Sequence, residues 1–212
     1  MGRSLPDGTT SQTIKRADLY RSLHQEALAR GVRVEHGRRL VGAEQTGNGV
    51  RAKFADGSEA VGDVLIGCDG VHSTVRRIID PAAPAPTYAG LVNTAGFARG
   101  LQVDTEPGSF EMIFGKRAFF GYTVTPDGEV WWFANVPRRD EPARGRVEAI
   151  NGEELRRWLV QLYAEDAGPA VPLIQATPEI MSVSPIHSLP QRPVRVCLRP
   201  GRVARRFRWK RW

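Results

Sequence analysis

The spacing of apolar side chains divides the chain into helical stretches and alternating ones. Between residues 16 and 30, Leu19, Leu23 and Ala27 recur at every fourth position with Leu28 beside them. That period predicts a helix, with Gly31 as its left-handed cap. Upstream, residues 4–13 read as a turn at Pro6-Asp7-Gly8 followed by a short strand. Val32 and Val34 flank Arg33 in a short alternating strand. Residues 40–45 and 50–54 are two further strands joined by Thr46-Gly47-Asn48-Gly49, a strong hairpin signal. Asp56-Gly57 makes the next tight turn. The run Asp63-Val64-Leu65-Ile66-Gly67 then suits a buried parallel strand, followed by Cys68-Asp69-Gly70 and a brief helix over residues 75–79.

The pattern changes after Asp80. A proline-rich connector, residues 81–86, marks a candidate lobe boundary. Beyond it residues 88–98, 110–114, 118–125 and 129–136 alternate as strands, and Asp127-Gly128 folds the last two into a hairpin. These runs carry Phe119, Phe120, Tyr122, Trp131, Trp132 and Phe133, so a mixed or antiparallel sheet with an aromatic face is expected. For any one of these rings a place in the core is the commoner role and a substrate cage the second. Leu155, Leu159 and Leu162 predict an amphipathic helix over residues 153–164, and residues 178–190 read as extended between prolines.

Composition narrows the function classes. Hydrophobic residues make up 41% and charged residues 25% of 212, an ordinary globular mix sufficient for one sizeable core or two small lobes. No apolar run approaches the roughly 20 residues that span a bilayer, and the first residues lack a signal-peptide core. Cys68 and Cys197 are far apart and the histidines stand singly, so no metal-ligand spacing occurs and a cytoplasmic setting is expected. The net charge of +7 is local: residues 191–212 hold eight arginines, one lysine and no acid, leaving the remainder with 21 basic and 23 acidic side chains. A body without basic bias argues against nucleic acid as a partner.

The chemistry concentrates in residues 63–76, DVLIGCDGVHSTVR. An apolar run is followed by an Asp-Gly turn and then by Ser73 and Arg76 on the first turns of a helix. Gly70 admits backbone close to a ligand, and Asp69 can accept from a ribose or hold the turn. Ser73 can cap the helix, and Arg76 supplies a forked cation. The string resembles the second fingerprint, D-G-x-x-S-x-x-R, of the class A FAD-dependent aromatic monooxygenases, the para-hydroxybenzoate hydroxylase-like family. Asp69, Gly70, Ser73 and Arg76 match it one for one. Upstream, Ile14-Lys15-Arg16-Ala17-Asp18-Leu19 resembles the family's I-x-R-x-x-L junction, whose arginine reaches toward the flavin, a role the resemblance carries to Arg16.

The resemblance covers roughly residues 4–190. It implies an α/β (mixed α+β) fold: a partial Rossmann-like FAD-binding lobe at 1–84, a β-rich substrate lobe at 85–190, and an aberrant basic tail at 191–212. The implied cofactors are FAD, with NAD(P)H as reductant, and the implied substrate is a small aromatic molecule hydroxylated with oxygen. Arg16, Asp69, Gly70, Ser73 and Arg76 are the expected cofactor-binding residues. No catalytic side chain is expected, because the flavin carries the chemistry. Two family motifs are missing, the G-x-G-x-x-G loop and a glycine-aspartate segment expected just after residue 198. The expectations that follow are weak or no flavin binding and impaired activity by this chain alone, with a complementing Rossmann fragment as a partner. The arginine and tryptophan tail has the composition of GC-rich DNA read out of frame, which points to a frameshift near residues 191–199. Other flavin enzymes sharing the motif (epoxidases, reductases, halogenase-like proteins) and a binding fragment acting through the tail stay open as alternatives.

Overall fold

A computed structural model describes residues 6–8, 13–142, 152–181, 183–190, 198–199 and 202–203. The chain divides into two units, one of residues 1–21 and 88–186 and one of residues 22–87 and 187–212.

The first unit is built on a five-stranded sheet in the order β5-β6-β7-β4-β8. Its strands are β4 (Thr87–Ala98), β5 (Phe110–Phe114), β6 (Phe119–Val124), β7 (Val130–Pro137) and β8 (Ser184–Ser188). β5, β6, β7 and β4 pair antiparallel, with Tyr122 opposite Trp132 and Phe97 opposite Trp131. Alternation along β7 sends Val130, Trp132, Ala134 and Val136 to a buried face and Trp131, Phe133 and Asn135 to the other. Two helices cover the buried face. α3 (Gly152–Tyr163) contributes Leu155, Leu159 and Tyr163, one every fourth residue, and α4 (Ala170–Gln175) contributes Leu173 and Ile174.

The buried Trp132, Thr177 and Tyr163 side chains each find a hydrogen-bond partner. The Trp132 indole donates to Thr177 Oγ1 at 2.7 Å, and that hydroxyl donates to the Leu173 carbonyl at 2.7 Å. The Tyr163 hydroxyl donates to the Phe119 carbonyl at 2.9 Å. The aromatic residues therefore divide by face: Phe120, Tyr122 and Trp132 are core, whereas Phe97, Phe119, Trp131 and Phe133 stand half-buried on the opposite side.

The second unit holds most of α1 (Arg16–Ala29), a three-stranded antiparallel sheet and α2 (Thr74–Ile79). The sheet runs β1 (Leu40–Thr46), β2 (Gly49–Phe54), β3 (Glu59–Gly62). Gly31 follows α1 with φ +75°, in the left-handed conformation expected of it. Val50, Ala52 and Val75 are the unit's buried apolar side chains among the described residues.

Two expectations fail in this unit. Residues 32–34 form no strand. More consequentially, residues 63–67 are not a buried parallel strand: they form no ladder, and Val64 and Ile66 are 40% and 77% exposed. A parallel strand is stable when neighbours cover its edges and both faces, and the described residues of this chain supply none there. β3 and α4 went unread in the sequence, β3 for its four-residue length and α4 for the proline at its third position.

Helix α3, the four long strands of the first unit and the β1–β2 hairpin lie within two residues of their expected ends. The mixed α/β class is as expected. The predicted strand before residue 13 and most of the basic tail lie outside the described residues, apart from the turn at residues 6–8 and two-residue strands β9 (Leu198–Arg199) and β10 (Arg202–Val203).

Candidate functional site

The Asp-Gly segment forms a closed hydrogen-bonded cluster in the second unit. The Asp69 carboxylate accepts from the Ser73 hydroxyl, from the Thr74 amide at 2.7 Å and from the Val75 amide at 3.1 Å. Ser73 caps α2 in turn, its Oγ accepting from the Arg76 amide at 2.9 Å. Burial would raise the Asp69 carboxyl, but the bonds from Ser73, Val75 and Thr74 outweigh it and hold the group below the usual aspartate range. Asp69 thus stays ionised and fixes the start of α2.

Two glycines make this geometry available. Gly70 adopts φ +77°, which a side chain would strain, and a Cβ there would meet no atom within 4 Å. Gly67 is needed for the opposite reason: a Cβ would lie 2.5 Å from the Val75 Cβ, so the extended segment reaches α2 only without one.

Arg76 folds back over the turn, its Nη2 donating to the Val71 carbonyl at 2.8 Å. Its Nε is buried and has no partner among the described residues. An orphaned guanidinium donor beside an exposed carboxylate and an open glycine fits a polar, oxygen-rich ligand. His72 is exposed with its ring edge toward His187, the ring centroids 4.9 Å apart. No group of three or more potential metal ligands occurs among the described residues.

Arg16 lies in the first unit, exposed at the start of α1, and has no hydrogen-bonding or ionic partner among the described residues. The structure joins Asp69, Ser73 and Arg76 directly, while Arg16 belongs to the other unit.

The open face of the five-stranded sheet holds the second feature. A cavity of about 460 Å³ is lined by Thr13, Ile14, Phe97, Phe110, Trp131 and Phe133, among others. The rings interlock: Phe97 meets Trp131 edge to face at 5.7 Å, and Phe133 contacts Phe110 at 5.9 Å and Phe119 at 5.4 Å. The size and apolar lining suit a small planar molecule.

Beside this cavity stands a charge cluster that sequence reasoning did not find. Glu129, with its side chain 11% exposed, binds Lys15 Nζ at 3.0 Å, Arg99 Nε at 2.9 Å and the Trp131 indole nitrogen at 2.7 Å. Burial alone would raise its carboxyl, but the bonds from Lys15, Trp131 and Arg99 dominate and hold it at about 2. Its partners are 30 and 114 residues away or directly aromatic, so no local spacing signals the cluster.

The mixed α/β fold, with its antiparallel sheet and covering helices, is that of FAD monooxygenases. A family model described as an FAD-binding domain matches residues 5–182, and the chain belongs to that family of FAD-dependent monooxygenases. It is 43% identical over 153 residues to the 3-amino-4-hydroxybenzoate 2-monooxygenase of Streptomyces cremeus, covering 71% of this chain and 38% of that one. To the FAD-dependent urate hydroxylase of Klebsiella pneumoniae it is 33% identical over 160 residues, covering 74% of this chain and 39% of that one. The crystal structure of Klebsiella pneumoniae HpxO complexed with FAD and uric acid superposes with a TM-score of 0.67 at 29% identity, over 82% of this chain and 43% of that one. The chain thus spans less than half the length of these relatives. FAD is the cofactor of the family.

Proposed function

We propose that the chain supplies the Asp-Gly segment and the substrate sheet of an FAD-dependent monooxygenase that hydroxylates an aromatic ring. In the reaction, ring C–H, O2, NAD(P)H and a proton give ring C–OH, water and NAD(P)+. The observation that carries this reading is the ring-lined cavity on the open face of the sheet, in a chain that also bears the complete Asp69-Gly70-Ser73-Arg76 string. Electron-rich aromatic molecules fit such a lining through edge and face contacts.

FAD, when bound, supplies the redox chemistry. The chain's own residues bind and orient. The orphaned Arg76 Nε is the donor offered to a cofactor oxygen, Gly70 leaves backbone accessible, and Asp69 with Ser73 holds α2 in place. Arg16 offers an unpartnered cation at the start of α1. Phe97, Trp131 and Phe133 position the ring and exclude water from it.

The exposed Val61, Val64 and Ile66 support a further packing partner for residues 61–67, the remainder of the family's FAD-binding lobe, in the same chain or on a complementing fragment. A reducing, cytoplasmic compartment suits the exposed free thiol of Cys68. No helix among the described residues is long and apolar enough to cross a membrane.

A titration of FAD, followed by quenching of flavin fluorescence, tests the cofactor part. Saturable binding that weakens about tenfold in Arg76→Met is expected, a charge-assisted hydrogen bond being worth about 1.5–3 kcal/mol. Equal affinities in the original protein and the variant would assign Arg76 to the turn alone.

A further inference from the structure

We propose that His24 and His36 form a binding site for a divalent transition metal of the zinc type, which clamps α1 to the segment that follows it.

The histidines carry no ligand spacing in sequence, and the fold is what pairs them. After α1 the chain turns at Gly31, with φ +75°, and the Val32 amide donates to the Ala27 carbonyl at 2.9 Å. That turn returns His36, 12 residues on, to the level of His24. Their Nε2 atoms lie 3.4 Å apart and their ring centroids 5.3 Å apart, both residues belonging to the second unit.

This spacing is the bite of a metal. A tetrahedral zinc holds imidazole nitrogens about 2.05 Å away, so two of them stand about 3.3–3.4 Å from each other. The nitrogen lone pairs must also converge on one point. At this nitrogen spacing, rings meeting head-on would have centroids about 5.7 Å apart, whereas rings converging on one tetrahedral ion have them about 5.3 Å apart. The observed 5.3 Å is the converging value. The 3.4 Å between nitrogens is, by contrast, long for a hydrogen bond from one ring to the other.

His36 is exposed and His24 half-buried, so an ion with its water can enter. The neighbouring Glu35 is already engaged through both carboxylate oxygens, by Arg33 and Arg38. No group of three or more potential ligands occurs among the described residues, so water completes the coordination. Two imidazoles select zinc, nickel or copper and not magnesium, which takes oxygen ligands. α1 buries none of its residues, and a link from His24 to His36 restrains a helix that little packing holds.

Zinc chloride titrated into the full chain, followed by calorimetry in a buffer that does not chelate, tests the site. One ion per chain is expected, with a dissociation constant on the order of 1–100 µM, weaker than a four-ligand zinc site. Magnesium chloride is expected to give no heat of binding. His24→Gln and His36→Gln are each expected to weaken zinc binding at least about tenfold, one of two protein ligands being lost. Zinc is also expected to slow amide exchange over residues 22–29 in the unaltered protein.

The inference is overturned if zinc does not saturate the chain below about 1 mM. Undiminished affinity in either variant overturns it as well, since the metal is then held elsewhere, and so does equal binding of magnesium. If His24→Gln fails to fold, His36→Gln at its exposed position decides. If neither variant folds, amide exchange in the unaltered protein decides: slowing over residues 22–29 supports the clamp, and unchanged exchange there overturns it.

Discussion

The two units of this chain use their apolar residues in opposite ways. In the sheet unit the buried face of β4, β6 and β7 meets α3 and α4, and Phe120, Leu159, Leu173, Ile174 and Ala134 are completely sealed. In the other unit Leu23, Leu28, Val32, Val41, Val61, Val64 and Ile66 all stay exposed, Ile66 by 77%. Hydrophobic patterning is thus satisfied on the helix-covered face of one unit, where only its edge strand leaves Phe110, Met112 and Phe114 in the open, and is left largely uncovered in the other. An apolar period tells that a surface needs covering, not that the same segment of chain covers it.

The sharpest way to break the contrast is to open the sealed core. Trp132→Ala removes a buried ring stacked on Phe120 at 5.4 Å and leaves the Thr177 hydroxyl without its donor. A loss of about 3–5 kcal/mol in urea unfolding is expected.

Asp69→Ala attacks the less sealed unit at its best-bonded point. It strips the partners from two amides of α2 and from the Ser73 hydroxyl. The expected cost is about 1–2 kcal/mol, read as faster amide exchange over residues 74–79. Exchange in β6 and β7 is expected to be unchanged.

Acid separates the units by charge. The Glu129 carboxyl is lowered in the folded protein from 4.5 to about 2, so the unfolded chain takes up a proton first as pH falls. Its contribution is complete above pH 4.5 and is lost progressively down to about 2. The Tm of the sheet unit should fall across that window, and Glu129→Gln should flatten its share of the fall.

The smallest effect is expected at the exposed surface. Ile66→Ser should change stability by less than about 0.5 kcal/mol, with reduced binding of a hydrophobic dye as the clearer readout. A loss comparable to that of Trp132→Ala would show that the contrast between the units is false.

The same contrast explains what could be read from sequence. The alternation of Val130 to Val136 and the period of Leu155 and Leu159 are resolved by partners within one unit, and those elements were legible almost to the residue. Residues 63–67 carry an equally clear apolar run, yet form no strand, since strand structure also needs a neighbour to pair with.

At the candidate site the Asp69, Ser73 and Arg76 spacing was visible because its bonds reach only three to six residues along the chain. The Lys15–Glu129 pair was invisible because it joins distant segments and each residue alone resembles an ordinary surface charge. Sequence identified which rings were present in the sheet. Only strand pairing separated Trp132 in the core from Trp131 in the cavity wall.

The Lys15–Glu129 pair also sets a timetable. On the ribosome, Lys15 is made 114 residues before its partner. At a synthesis rate of about 5–20 residues per second, that is a delay on the order of ten seconds. During it the earlier segment has no sheet to lie against, and residues 22–87 are translated in between. The cavity wall at Thr13 and Ile14 therefore waits on residues made much later for its packing partners. A nascent chain halted before Glu129 would leave Lys15 without the carboxylate that holds it beside Phe97.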